Sequence, residues 1–119
     1  MSTVFVTFHT AGNRSVEKES MPVMRLTGAI TEVVTASGAS VRTATVSNGE
    51  SAYASRDGGF VTIRAGTANL WVVTGKSADN PVAAKPAAGA AGPGFPVMAN
   101  EAVSVGVDDG HKIAMIEWS

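Results

Sequence analysis

Short runs of β-branched and aromatic residues, each cut off by glycine, asparagine or aspartate, recur along most of this chain. That pattern leaves few folds open. A β-branched side chain loses rotamer freedom against the preceding turn of a helix, yet packs well on a pleated strand. The first run, Thr3 to His9 (TVFVTFH), shows it most clearly. Strand side chains alternate between faces, so Val4, Val6 and Phe8 share one side while Phe5, Thr7 and His9 share the other. Ala11-Gly12-Asn13-Arg14 then supplies turn chemistry.

The pattern continues with interruptions. Ser15 to Ser20 is the most polar stretch and reads as a loop or a single helical turn. Met21 to Thr35 follows, where Gly28 implies a bend or bulge. A helix over Ala29 to Thr35 is disfavoured by Ile30, Thr31, Val33, Val34 and Thr35. Ala39 to Val46 reads as a strand closed by Asn48-Gly49, a hairpin dipeptide because both central residues of a type I′ turn need positive φ. Ser51 to Ser55 is the expected returning strand. Asp57-Gly58-Gly59 makes a second tight turn, and Phe60 to Ala65 is expected to pair back across it. Asn69 to Thr74 is the next strand, with Trp71 expected in the core. Phe95 to Met98 reads as a short edge strand, since Pro96 cannot donate to a ladder. Ala102 to Val107 places Val103, Val105 and Val107 on one face, Asp108-Asp109-Gly110 turns as a hairpin, and His111 to Trp118 closes the pattern.

About eight short strands without βαβ alternation predict an all-β fold: an antiparallel β-sandwich, jelly roll or barrel. The 119 residues fit one domain, 1–119. One long Ala/Gly/Pro-rich segment breaks the pattern. Residues Ala83 to Gly94 (AAKPAAGAAGPG) are too low in complexity to build a core. The segment reads either as a flexible surface loop or as an arm that orders against a neighbouring subunit, its prolines reducing the entropy lost on docking.

Charge and composition exclude several classes of function. Only 16% of residues are charged and the net charge is −1. The nine basic residues are scattered singly, whereas nucleic-acid binding needs a clustered stripe, so no direct nucleic-acid contact is expected. There are no cysteines, which excludes disulfides and thiolate metal sites. No apolar stretch approaches the roughly 20 residues of a membrane helix, and the start lacks the pattern of a signal peptide. Synthesis in the cytoplasm without a membrane anchor is the expectation. Asn13-Arg14-Ser15 matches a glycosylation sequon by chance on this reading.

The polar clusters read as turns rather than sites. Asp108-Asp109-Gly110-His111 gathers two carboxylates and an imidazole, but a metal needs three or four ligands converging at fixed distances, and His9 is remote in sequence. Asp57-Gly58-Gly59 lacks the spaced acidic groups and terminal glutamate of a calcium loop. No G-x-S-x-G elbow is present for Ser/His/Asp catalysis, and no carboxylate pair stands out. Gly89 to Gly94 lacks the lysine and following helix of a phosphate cradle. The expectation is a protein that is not an enzyme and takes no cofactor and no metal.

Two segments carry a resemblance. Asn69 to Ala83 (NLWVVTGKSADNPVA) holds an aromatic-Val-Val-Thr-Gly run at Trp71 to Gly75, then Asn80-Pro81. Val97 to Ile116 (VMANEAVSVGVDDGHKIAMI) holds a hydrophobic alternation, then Gly110 and a Lys-Ile-Ala run. Over its C-terminal half the chain resembles small virion structural proteins of tailed bacteriophages, of the capsid decoration or cement type. The resemblance implies a sandwich or jelly-roll module present in many symmetric copies. It further implies a place on the capsid surface after synthesis in the host cytoplasm. The partner would be the major capsid protein or another virion protein, with self-association as a dimer or trimer. A receptor- or carbohydrate-binding module of a tail or fibre, or a head–tail adaptor component, is the alternative. The contact residues expected from the N-terminal strand, the neutral loop and the C-terminal tryptophan are Val4, Phe5, Lys85, Pro86, Pro93, Phe95 and Trp118. Trp118 itself reads as either a core residue or an interface anchor.

Overall fold

In the computed structural model, which describes residues 1–9, 29–47, 59–108 and 110–118, the alternating runs become eight strands. They are β1 (Ser2–His9), β2 (Ile30–Ala36), β3 (Val41–Arg42), β4 (Gly59–Arg64), β5 (Asn69–Lys76), β6 (Phe95–Val97), β7 (Ala102–Val107) and β8 (His111–Trp118). Two four-stranded sheets form, ordered β2-β1-β4-β7 and β3-β8-β5-β6, with every pairing antiparallel. They pack face to face as a β-sandwich, not a closed barrel.

Period-2 alternation builds the core. Val4 and Val6 of β1 are fully buried and Phe8 nearly so, as the TVFVTFH pattern requires. Val61 and Ile63 of β4 join them, facing Leu70 and Val72 of β5, Val97 of β6, and Ile113 and Met115 of β8. Each fully buried aliphatic side chain of this kind contributes roughly 1.5–3 kcal/mol over an exposed one. The β-branched run after Ala29 is strand β2, not helix. Pro96 sits on the edge strand β6, and Val103, Val105 and Val107 of β7 all face the core.

Three expected pairings are corrected. The strand expected over Ala39 to Val46 is only Val41–Arg42, because the backbone beyond it finds other partners. Thr43 Oγ1 donates to the Thr45 carbonyl, and the amides of Ala44 and Thr45 both donate to the Glu32 carboxylate. The place expected for a returning strand beside Phe60 to Ala65 is taken, since β1 and β7 occupy both sides of β4. The Asp108–Gly110 turn is not a hairpin, because β7 and β8 lie in different sheets. It is a crossover, and Ser47 holds it: its hydroxyl donates to the Asp108 carbonyl and accepts from the His111 amide at 3.0 Å, while its carbonyl accepts from the Gly110 amide at 2.9 Å. Gly110 takes positive φ (79°) there. The expectations at Ala11 to Gly28, Asn48-Gly49, Ser51 to Ser55 and Asp57-Gly58 lie outside the described residues.

Candidate functional site

Each sheet of a sandwich has an inner face that builds the core and an outer face that meets solvent or something else. The two outer faces of this molecule differ sharply.

The outer face of β2-β1-β4-β7 is laid out in rows by the register. One row, Thr31–Thr7–Thr62–Ser104, runs across all four strands. Its hydroxyls bond in pairs, Thr7 with Thr31 at 2.8 Å and Thr62 with Ser104 at 2.8 Å. On one side lies the row Val33–Phe5–Arg64–Ala102, with Phe5 46% and Val33 58% exposed. On the other, His9 stacks on Phe60 with ring centroids 5.9 Å apart, opposite Gly106. His9 Nε2 reaches Thr62 Oγ1 at 2.9 Å. With histidine neutral, Arg64 is the sole formal charge among the described residues of this face. At its end Phe5, Arg64, Gly66 and Asn100 border a shallow open notch of about 430 Å³.

The outer face of β3-β8-β5-β6 is covered by the chain itself. Trp71, Val73, Ala114 and Ile116 form its apolar centre. After β5, a 3₁₀ turn at Ser77–Asp79 and the left-handed Asn80 redirect the backbone. The segment 80–94 then lies over that centre as a strap. Arg42 donates to the carbonyls of Asn80 and Pro81, and the Ala83 amide donates to Ser40 Oγ at 2.9 Å. Ala83 is buried against Val73 and Ala114. Gly94, at φ 110°, closes the strap so tightly that a Cβ there would lie 2.4 Å from Trp71 Nε1. The indole N–H donates to the Pro93 carbonyl at 2.9 Å. The Ala/Gly/Pro segment therefore contributes a small second core, and Trp71 lies half-buried beneath it rather than between the sheets, where it was expected.

The expected contact residues separate accordingly. Val4 is fully buried between the sheets, which corrects its place among surface contacts. Phe95 is half-buried against the same core. Lys85, Pro86, Pro93 and Trp118 come together on the strapped face, with Lys85 Nζ 5.0 Å from the centre of the Trp118 ring. Trp118 is half-buried there, and its Nε1 has no acceptor among the described residues. Phe5 alone stands on the bare face. Val33, Thr62 and Ser104, which share that face, were missed because only the register brings them there, and no local signal in the sequence encodes register. Among the described residues no three histidine, aspartate or glutamate side chains converge.

One partly exposed carboxylate links the two sheets. Burial raises the Glu32 pKa, but the hydrogen bonds from Ala44 and Thr45, with the charge of Lys112, outweigh it and hold the group below its ordinary value. Glu32 thereby ties β2 of one sheet to the segment following β3 of the other.

Comparison with family models, with known proteins and with solved structures finds no match to this chain.

Proposed function

We propose that this chain is a structural protein of a bacteriophage virion, a capsid decoration (cement) protein that binds the major capsid shell by surface burial. The observation that carries the reading is the bare, nearly uncharged outer face of β2-β1-β4-β7. The hydroxyls of the Thr31–Thr7–Thr62–Ser104 row already bond in pairs, so covering that row strands few polar groups and costs little desolvation. Phe5 and Val33 supply apolar area beside that row, on β1 and β2. The resemblance over the C-terminal half supports the same reading. Four strands about 4.8 Å apart and 20–26 Å long give a patch of roughly 400–500 Å². A stable interface buries roughly 800 Å² per partner, so the face needs a second contact alongside it, as expected for a protein wedged between shell subunits.

The test is co-sedimentation of the purified chain with assembled capsids that lack it. Saturable binding at a fixed ratio to the shell subunit, lost in Phe5→Glu, is the expected result. A chain that stays in the supernatant, or that binds equally well as Phe5→Glu, overturns the reading.

A further inference from the structure

We infer that the free edge of β7 is a strand-addition site. It takes an extended segment of another protein, neutral through about six residues and basic at both flanks. The inference stands on the edges of the two sheets and goes beyond the virion reading.

Two four-stranded sheets have four edges, and three of these are guarded. β3 is two residues long. β6 is three residues long and contains Pro96, which has no N–H to offer. β2 carries the inward-register Glu32, whose carboxylate ties the Ala44–Thr45 backbone to that strand. An inward-pointing charge, a proline and a short strand are recognised ways of blunting an edge. β7 has none of them. Its sequence, AVSVGV, is six residues without charge or proline.

The register identifies the atoms that face outward. The Ala65 amide donates to the Glu101 carbonyl at 2.9 Å, one step beyond the Arg64–Ala102 pair. Bonded pairs alternate along an antiparallel ladder, so Val103, Val105 and Val107 direct their backbone groups to β4. Ala102, Ser104 and Gly106 direct theirs to the open edge, where no strand meets them among the described residues. Their side chains are the smallest available, so among the described residues nothing shields the row.

Charge selects the occupant. Glu101 and Asp108, both exposed, stand at the two ends of the strand. They are about 23 Å apart at the rise of an extended chain. A neutral strand with lysine or arginine at its flanks meets both carboxylates. A second copy fits less well. Antiparallel self-pairing centred on Ser104 sets Glu101 of one chain opposite Val107 of the other and Asp108 opposite Asn100, so neither carboxylate gains an opposite charge.

The test uses the full chain and two synthetic peptides, Lys-Lys-Thr-Val-Thr-Val-Thr-Val-Lys-Lys and the same sequence with glutamates for lysines. Amide hydrogen exchange is read residue by residue with up to about 1 mM peptide. Exchange at Ala102, Ser104 and Gly106 is expected to slow at least about tenfold with the lysine-flanked peptide, while the β4-bonded Val103 and Val105 barely change. The glutamate-flanked peptide should bind at least about tenfold more weakly. Ser104→Pro removes the central edge donor while sparing the β4 ladder, and should lose binding with its circular dichroism retained. If that variant does not fold, the exchange pattern of the unaltered chain decides. Unchanged exchange at the three amides, or equal binding of the two peptides, overturns the proposal. So does concentration-dependent protection without peptide, which would assign the edge to a second copy. Docking through Phe5 is unaffected by any of these outcomes, so the two proposals fail separately.

Discussion

The two outer faces are built from the same kind of strand, yet one is roofed by its own chain and the other is not. The difference follows from what each face displays. Trp71, Val73 and Ile116 make the outer face of β3-β8-β5-β6 a second hydrophobic surface, which would be costly to leave in water, and residues 80–94 cover it. The face of β2-β1-β4-β7 displays mainly threonine and serine, with Phe5 and Val33 as its exposed apolar residues, and it is uncovered among the described residues. A face stable in water, low in charge and already hydrogen-bonded within itself suits docking onto something else. The roofed face is a stability device, and among the described residues the other face stays open.

That contrast is broken or sharpened first at Gly94. Its φ of 110° disfavours any side chain, and an added Cβ would meet Trp71 Nε1 at 2.4 Å and the Val72 carbonyl at 2.6 Å. Gly94→Ala is expected to destabilise by about 3 kcal/mol in urea unfolding, combining backbone strain with a displaced strap. An effect below about 0.5 kcal/mol would mean that the strap is held only loosely. Next in size is Trp71→Ala, which empties the space under the strap and removes the indole bond to the Pro93 carbonyl. For a half-buried indole the expected loss is about 2 kcal/mol, with faster amide exchange at Ala83 as its local signature.

These two residues also show where sequence reading stopped. The alternation in TVFVTFH and AVSVGV was enough to orient β1 and β7, because burial on one face imposes period 2. The bounds of β7 and the start of β8 follow from the turn residues beside them. Partner choice was not legible. The apolar pattern of Phe60–Ala65 is satisfied by any neighbour, and nothing local says that β1 and β7 flank β4. Ser47, which pins the crossover between β7 and β8, is one serine among many until the fold brings it to Asp108 and His111. The strap misled for a different reason. Low complexity usually signals a solvated loop, but alanine, glycine and proline are also the residues that lie flat and close on a sheet. Of the bare face, Phe5 was identified from alternation alone, and its companions required the register.

Glu32 gives a smaller, pH-dependent effect. Its pKa is lowered in the folded state from an ordinary value of 4.5. A depressed carboxyl contributes stability that is present above its unfolded value and lost as pH falls through the folded one. Glu32→Gln is expected to cost about 1 kcal/mol at neutral pH, since the single amide oxygen can accept from only one of Ala44 and Thr45 and the charge that strengthens that bond is lost. The difference between wild type and variant should shrink as pH falls below 4.5, measured by thermal unfolding across the acid range. A difference that grows on acidification would show that the sign assigned to this carboxyl is wrong.

The smallest expected effect is the most direct check on the bare face. Gly106 lies on the same sheet as Phe60, and an added Cβ would find its nearest neighbour, Phe60 Cε1, at 4.0 Å. That is ordinary van der Waals contact, and the position requires no left-handed backbone. Gly106→Ala should therefore leave stability within about 0.5 kcal/mol of wild type, tending toward a gain because alanine restricts the unfolded chain. The same substitution thus has opposite consequences on the two faces: strain under the strap at Gly94, and near neutrality in the open at Gly106. If Gly106→Ala destabilised the chain as much as Gly94→Ala, something would have to be packed over β7 and β4. The outer face of that sheet would then be an interior surface rather than a place for a partner.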